Sequence, residues 1–284
     1  MQSNVFSTNK TLNIRGKLLD LSTPKVMGIL NVTPDSFYDG GRLKSVEDAL
    51  LQCDKMLLEG ADFIDVGGYS TRPNAADISE KEELGRVLPV IQKIVKRFPE
   101  TVISIDTFRS SVAKIAVEEG AAIINDISGG NLDGDMFKTV ASLNVPYILM
   151  HSRGTPQTMK SLAQYDNLLK DIVTDLSKKI NLLHALGVKD IIIDPGFGFA
   201  KSIEQNFELL AYLDYLKILD KPILVGVSRK SMIWKTLGVK PDDALNGTTS
   251  LNTIALLKGA TILRVHDVKE GVECVKLLSL LTKS

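Results

Sequence analysis

The sequence predicts a single-domain α/β fold of the parallel (β/α)8 TIM-barrel type, and three observations carry the prediction. Eight short apolar runs recur along the 284 residues. Stretches with a period near 3.6 separate them, and another follows the last, so strand and helix alternate throughout. Most runs end in a polar residue, and in such a barrel the carboxyl ends of all the strands open onto one face. The length matches one domain of this kind.

Residues 1–24 form an amino-terminal extension, in which TLNIRGKLLDLS (11–22) alternates weakly. A small hairpin closing the amino-terminal end of the barrel is expected there. The barrel occupies 25–284. Its strands are expected at VMGILN (26–31), FIDVGG (63–68), VISIDT (102–107), IINDIS (123–128), YILMHS (147–152), IIIDPG (191–196), ILVGVS (223–228) and TILRVH (261–266). These runs are apolar on both faces and β-branched, as parallel strands covered by helices should be. They deliver Asn31, Asp65, Asp106, Asn125, His151, Asp194, Arg264 and His266 to one end.

Ser45 opens the first helical run, which stops at Gly60, a glycine suited to the position after a helix end. Ser79 and Glu82 suit a capping box for the next helix, and Pro89 is expected to kink or divide it. Residues 161–186 read as the longest helix. Residues 243–258 read as a helix with small residues on one face, a candidate contact between subunits. Two connections, 31–44 and 69–79, are long, polar and rich in Gly, Pro, Ser, Thr and Asp, the composition of ligand-clamping loops.

An apolar fraction of 44%, a charged fraction of 24% and zero formal net charge describe an ordinary globular enzyme. That balance does not call for nucleic acid or a membrane surface as partner. No apolar run is long enough to span a bilayer, and the amino terminus lacks an apolar signal core. Cys53 and Cys274 both fall in helical patterns and read as free buried thiols, which places the protein in the cytoplasm.

Asp106 and Asp194 each follow three apolar strand residues, where a carboxylate without partners is costly. Either could merely cap the following loop. Together with Asn125 they offer several acceptors and one donor pair, which suits a flat nitrogen heterocycle with adjacent ring NH and exocyclic NH2 groups. Arg264 and His266 alternate on the last strand, so both face the barrel mouth and suit an anion such as phosphate. Lys230 and Ser231 sit where VGVSRKS (225–231) enters a helix, again favourable for an anion, although Lys230 could equally be solvated. His184 belongs to a helix surface, and His151 is either ligand-facing or structural. DPGFGFAKS (194–202) lacks the third glycine of a dinucleotide fingerprint; its glycines suit close backbone approach, with Phe199 as an apolar wall. No Walker motif, structural zinc spacing or GxSxG elbow is present.

Eight segments in order, MGILNVTPDSFYDGG (27–41), FIDVGGYSTRP (63–73), VISIDTFRS (102–110), AAIINDISGG (121–130), VPYILMHSRG (145–154), DIIIDPGFGFAKS (190–202), KPILVGVSRKS (221–231) and GATILRVHDV (259–268), resemble the dihydropteroate synthase family. The resemblance covers nearly the whole chain from residue 25. It implies condensation of a 7,8-dihydropterin bearing a hydroxymethyl diphosphate with 4-aminobenzoate, giving 7,8-dihydropteroate and diphosphate. It implies that Asp106, Asn125, Asp194 and Lys230 hold the pterin, and that Arg264 stacks on it and reaches the diphosphate. Asn31, Arg72 and His266 complete the anion pocket, with Asn31 ligating Mg2+. Thr71, Pro73, Phe199 and Ser231 shape the aminobenzoate site, and Phe37 closes over it. Asp106, Lys230, Arg264 and His266 are the implied catalytic set, and a homodimer is the implied assembly.

The chain departs from the family pattern at Tyr69, often Glu, at Asn74, often Gly, at Ser152 and Arg153, and at Ala200, where a glycine is usual. None of these is a residue with an implied role. The main alternative is a pterin-binding, corrinoid-dependent methyltransferase, which shares the barrel but has no use for the diphosphate residues. A non-catalytic pterin-binding paralogue and a Schiff-base aldolase using Lys230 fit the residue pattern less well. In the aldolase, the lysine would lie within its strand rather than after it.

Overall fold

The computed structural model describes residues 11–32, 45–70, 77–155 and 157–281. Eight parallel strands form the barrel: β3 (Lys25–Asn31), β4 (Phe63–Gly67), β5 (Val102–Asp106), β6 (Ile123–Asp126), β7 (Tyr147–Met150), β8 (Ile191–Asp194), β9 (Leu224–Val225) and β10 (Ile262–Val265). They are hydrogen-bonded in the order β8-β7-β6-β5-β4-β3-β10-β9, and a parallel bridge between Ile193 and Ile223 closes the ring.

Alternation along each strand sorts the side chains. Val26, Ile64, Val66, Ile103, Ile105, Ile124, Leu149, Ile193, Leu263 and Val265 point outward into the core shared with the helices. Met27, Phe63, Ile123, Ile148, Ile192, Leu224 and Ile262 point inward and fill the amino-terminal end. Two residues further along, the same inward face turns polar: Phe63 gives way to Asp65, Ile123 to Asn125, Ile192 to Asp194 and Ile262 to Arg264. The barrel is therefore sealed with hydrocarbon at one end and carries polar groups at the other.

The seal includes a hairpin, β1 (Thr11–Ile14) and β2 (Lys17–Asp20), paired antiparallel. Its two-residue turn, Arg15-Gly16, has positive φ at both positions (51° and 82°), the geometry that matches strand twist in tight hairpins. Leu12 and Ile14 share one face and lie buried against the inward-facing apolar layer. The Asn13 amide donates to Asp190 at 3.1 Å, fastening the hairpin to the loop before β8.

The surrounding helices are α1 (Val46–Leu58), α2 (Glu80–Arg97), α3 (Ser110–Glu118), α4 (Met136–Leu143), α5 (Leu168–Ala185), α6 (Ile203–Ala211), α7 (Ser231–Leu237), α8 (Leu245–Leu257) and α9 (Val268–Leu281). Ser45, Ser79, Asn167 and Ser202 each accept an amide N–H of the first turn that follows. Only Ser202 completes a reciprocal capping box, with Gln205. The Glu82 carboxylate pairs instead with Arg86 at 2.6 Å.

Three elements differ from the sequence reading. Pro89 does not divide α2, which runs through it. The missing N–H falls on the exposed side, where water can serve the freed carbonyl, while Val87, Val90, Ile91 and Ile94 stay buried along the other face. The helix expected from 161 begins at Leu168, because the Asn167 side chain takes the Lys170 N–H and its extended backbone ends the helix there. A short 3-10 turn, Met159–Leu162, comes earlier, and 163–167 between them are irregular. Most of the small residues of α8 face inward, with Thr248 buried, and only Ser250 among them is exposed. A methyl group on Gly247 would come within 2.4 Å of Ile233, and Thr253 contacts Cys274 on α9. The outward side of α8 carries Ile254 and Leu257, 40% and 61% exposed.

Candidate active site

At the carboxyl end of the barrel, a buried ion-pair cluster crosses from β10 to β4 and β5. Arg264 donates through Nε to Asp65 Oδ2 at 2.6 Å and through Nη2 to Asp106 Oδ2 at 2.7 Å. Asn125 Nδ2 donates to the same Asp65 oxygen at 2.9 Å. Asp65 is fully buried, and its other oxygen has no hydrogen-bond partner among the described residues. The guanidinium is thus held by two carboxylates and is oriented before any ligand arrives. Burial opposes its charge, but Asp65 and Asp106 more than offset that and raise its pKa. The Asp106 pKa is also raised: burial dominates, Arg264 pulls it down, and neighbouring Asp65 pushes it up again.

Gly67 explains how the rim fits together. A methyl group there would lie 3.4 Å from Asp106 Oδ2 on one side and 3.5 Å from Asn31 Oδ1 on the other. The missing side chain leaves room for both oxygens, and Asn31 at the end of β3 presents a hard oxygen beside the Asp106 carboxylate.

A second cluster builds the opposite wall. Asp194 ends β8, and its Oδ1 accepts the Gly196 amide at 2.7 Å. Its pKa is raised by burial, against the pull of Lys230. Lys230 donates to the Phe197 carbonyl and lies 5.0 Å above the Phe199 ring. Burial lowers the Lys230 pKa to about 8, with Asp194 working in the other direction. Ser231 is the first residue of α7, immediately beyond.

The turn that delivers Lys230 is strained and anchored. Arg229 adopts a positive φ of 54°, and its guanidinium makes a bidentate pair with Asp267 at 2.9 and 2.7 Å. That pair ties the end of β9 to the end of β10. In the same place, the Ser228 hydroxyl accepts the His266 amide at 3.1 Å and lies 3.0 Å from His266 Nδ1. His266 stands exposed at the mouth.

The structure thus gathers Asn31, Asp106, Asn125, Asp194, Lys230, Arg264, Phe199, Ser231 and His266 at one end of the barrel. Phe37, Thr71, Arg72, Pro73 and Asn74 lie outside the described residues. Tyr69 stands at the edge of that second loop, with its ring 4.9 Å from Phe108 and its hydroxyl 3.2 Å from Asp77. Arg109 covers it and donates to the Ile78 carbonyl at 2.6 Å.

His151 is structural. It is buried, and its Nδ1 lies 3.1 Å from Lys201 Nζ. Burial, and then Lys201, lower its pKa. His184 is exposed on α5. Cys53 and Cys274 are free and buried, and burial raises the Cys53 pKa to about 12, so that thiol is unreactive.

Two residues matter more than the sequence suggested. The sequence delivers Asp65 to the ligand end without pointing to a role for it, and nothing in the pattern singles out Lys201. The available signal was a charged residue inside an apolar strand, FIDVG, and a lysine in a glycine-rich turn.

A model of the pterin binding enzyme family matches residues 27–266. The chain is 44% identical over 266 residues to the dihydropteroate synthase of Escherichia coli K12, covering 93% of this chain and 94% of that one. Among solved structures it is similar to the Yersinia pestis dihydropteroate synthase in a sulfonamide drug complex, at 42% identity and a TM-score of 0.92, covering 96% of this chain and all of that one. It is also similar to the Xanthomonas albilineans dihydropteroate synthase with 4-aminobenzoic acid, at 37% identity and a TM-score of 0.89, covering 98% of this chain and all of that one.

Proposed function

This chain belongs to the dihydropteroate synthases within the pterin-binding enzymes, and on that premise we propose that it condenses (7,8-dihydropterin-6-yl)methyl diphosphate with 4-aminobenzoate in folate biosynthesis. The products are 7,8-dihydropteroate and diphosphate. The observation that carries this reading is the Asp65–Arg264–Asp106 cluster facing the Asp194–Lys230 pair across one barrel mouth. A flat ring with several N–H donors meets carboxylates at Asp106 and Asp194, and an ammonium at Lys230 serves its carbonyl side.

The reaction breaks the bond between the methylene carbon and the diphosphate oxygen. The electron pair leaves with diphosphate, and the positive charge left behind spreads into the electron-rich dihydropterin. The buried carboxylates stabilise that charge. Arg72, Arg264 and His266 stabilise the departing anion. The aminobenzoate nitrogen then attacks the carbon and passes its proton to the departing diphosphate or to water. A neutral arylamine is a weak nucleophile, so a dissociative displacement without a covalent enzyme intermediate fits the residues present.

Mg2+ is part of the same proposal. Such an ion keeps most of its shell as water and phosphate oxygens and needs only one or two protein ligands, so the Asn31 amide oxygen beside Asp106 fits it. Bound there with diphosphate, it would neutralise leaving-group charge.

The direct test incubates the purified chain with both substrates and Mg2+ and measures dihydropteroate and diphosphate release. Pterin binding without diphosphate release would replace this reading with a binding protein. Methyl transfer to a corrinoid would replace it with the methyltransferase alternative. Lys230 also sets a pH dependence. Its ammonium is present below about pH 8 and lost above, so pterin affinity should fall as pH rises through that value. Calorimetry should show this alkaline decline in the native chain and its absence in Lys230→Gln.

Two broader attributes belong with this reading. The buried unpaired thiols suit a reducing cytoplasm. The exposed Ile254 and Leu257 of α8, with Tyr215 and Ile218 at 50% and 53% exposure on the turn Leu213–Leu219, support a homodimer through that side. Sedimentation equilibrium should give a dimer mass, and Ile254→Glu/Leu257→Glu should give a monomer. A native chain that sediments as a monomer at micromolar concentration excludes this interface.

A further inference from the structure

The segment between Asp194 and α6 runs through Gly196, Gly198 and Ala200, all with positive φ (73°, 79° and 48°). Such a segment has little intrinsic rigidity, and Ala200 pays a steric cost in that region. It nevertheless presents three things to the site: the Asp194 carboxylate, the Phe197 carbonyl that receives Lys230, and the Phe199 ring. Lys201 lies behind it, 9% exposed. Its Nζ donates to the Gly196 carbonyl at 3.0 Å and the Phe199 carbonyl at 3.0 Å, and it shares a hydrogen bond with His151 Nδ1 at 3.1 Å. None of these three partners is a carboxylate. The lysine therefore acts as a triangular brace between the segment and the end of β7. Gly196 is pressed against that same strand end, where a methyl group would come within 2.0 Å of the His151 carbonyl.

We propose that Lys201 is a positioning residue for the second substrate, fixing the Phe199 wall of the aminobenzoate site through its bonds to Gly196, Phe199 and His151. This inference rests on the synthase reading above. Asp194 belongs to β8 and has ladder neighbours to hold it, as Met150 pairs with it in register. Phe199 has no strand of its own, and the carbonyl of its own residue is one of the groups Lys201 holds. Loss of the brace should therefore affect aminobenzoate far more than pterin.

The test is a double-mutant cycle of Lys201→Met and Phe199→Leu, with KM measured for each substrate. In the native background, Lys201→Met should raise the aminobenzoate KM by about tenfold, because small misplacements of a positioning group weaken binding on that scale. Pterin affinity by calorimetry should change by less than about twofold, which also shows that the variant is folded. In the Phe199→Leu background the same change should add less than about twofold, because its target is already gone. If Lys201→Met does not fold, Lys201→Gln, which retains two donors, carries the cycle with the same expectation. Equal rises for both substrates, or effects that multiply independently, would overturn the proposal. No dihydropteroate from the native chain would instead overturn the synthase reading and this inference with it.

Discussion

Arg264→Met is expected to remove activity and cost about 3–5 kcal/mol of folding stability at neutral pH, the range for breaking a buried ion pair from one side. The cost arises in what is left behind. Asp65 is fully buried, and Asp106 is largely so; both accept from this guanidinium at 2.6–2.7 Å. Without it, two carboxylates face each other with only Asn125 as donor. The pH dependence follows from the raised Asp106 pKa. In the unfolded chain an aspartate titrates near pH 4. In the folded variant Asp106 titrates higher still, because its burial and the neighbouring Asp65 remain while the pull of Arg264 is gone. A group whose folded pKa is raised favours the folded state when protonated, and that stability is lost as pH rises through the folded value. Urea unfolding should show a larger deficit against the native chain at pH 8 than at pH 5. Adding Asp65→Asn should restore part of the stability and none of the activity. Equal deficits at both pH values would mean that the carboxylates are satisfied by other groups.

The barrel was legible because its determinants are local and periodic. Each strand needs only a short apolar run, and the inward face changes from Phe63 to Asp65, or Ile262 to Arg264, within two residues. The hairpin was legible for a similar reason, since Leu12 and Ile14 alternate with polar neighbours. Helix ends were less so. Apolar periodicity continues upstream of Leu168, and only the competition of one side chain, Asn167, for one amide decides where α5 starts. The inward turn of the small residues on α8 depends on how closely α7 and α9 approach, and periodicity alone carries no information about that.

For the site, sequence order identified which residues reach the mouth but not how they pair. Asp65 and Arg264 are 199 residues apart. A carboxylate in mid-strand reads as costly, and its partner emerges only when the ring closes and brings β10 beside β3 and β4 beside β5. Lys201 was obscured differently. Its main-chain partners are two to five residues away, but the contact that makes it a brace is His151, fifty residues earlier. His151 reads either way in the sequence, and the Lys201 Nζ beside its Nδ1 makes it structural.

Asp194→Asn should separate ligand binding from folding. The substitution keeps size and one carbonyl oxygen, so the Gly196 amide, now 2.7 Å from Oδ1, retains an acceptor. What changes is the other end, where a carboxylate oxygen becomes an NH2 group. A pterin presents donors there, so an attractive pair becomes donor against donor, and the opposite charge facing Lys230 is lost as well. The expected loss in pterin affinity is about 1.5–3 kcal/mol, the value of a hydrogen bond to a charged group. This corresponds to roughly ten- to 150-fold in dissociation constant. Folding stability should hold or rise, because burial already works against the Asp194 charge and raises its pKa. With Asp194 neutralised, the Lys230 pKa should fall further below about 8, since Asp194 is the group that holds it up. The alkaline decline in whatever pterin binding remains should accordingly begin at lower pH than in the native chain. Calorimetry across pH measures both effects on one variant. Unchanged pterin affinity would remove Asp194 from the binding site. A weakened affinity with an unmoved alkaline limb would leave Asp194 as a ligand but break its electrostatic link to Lys230.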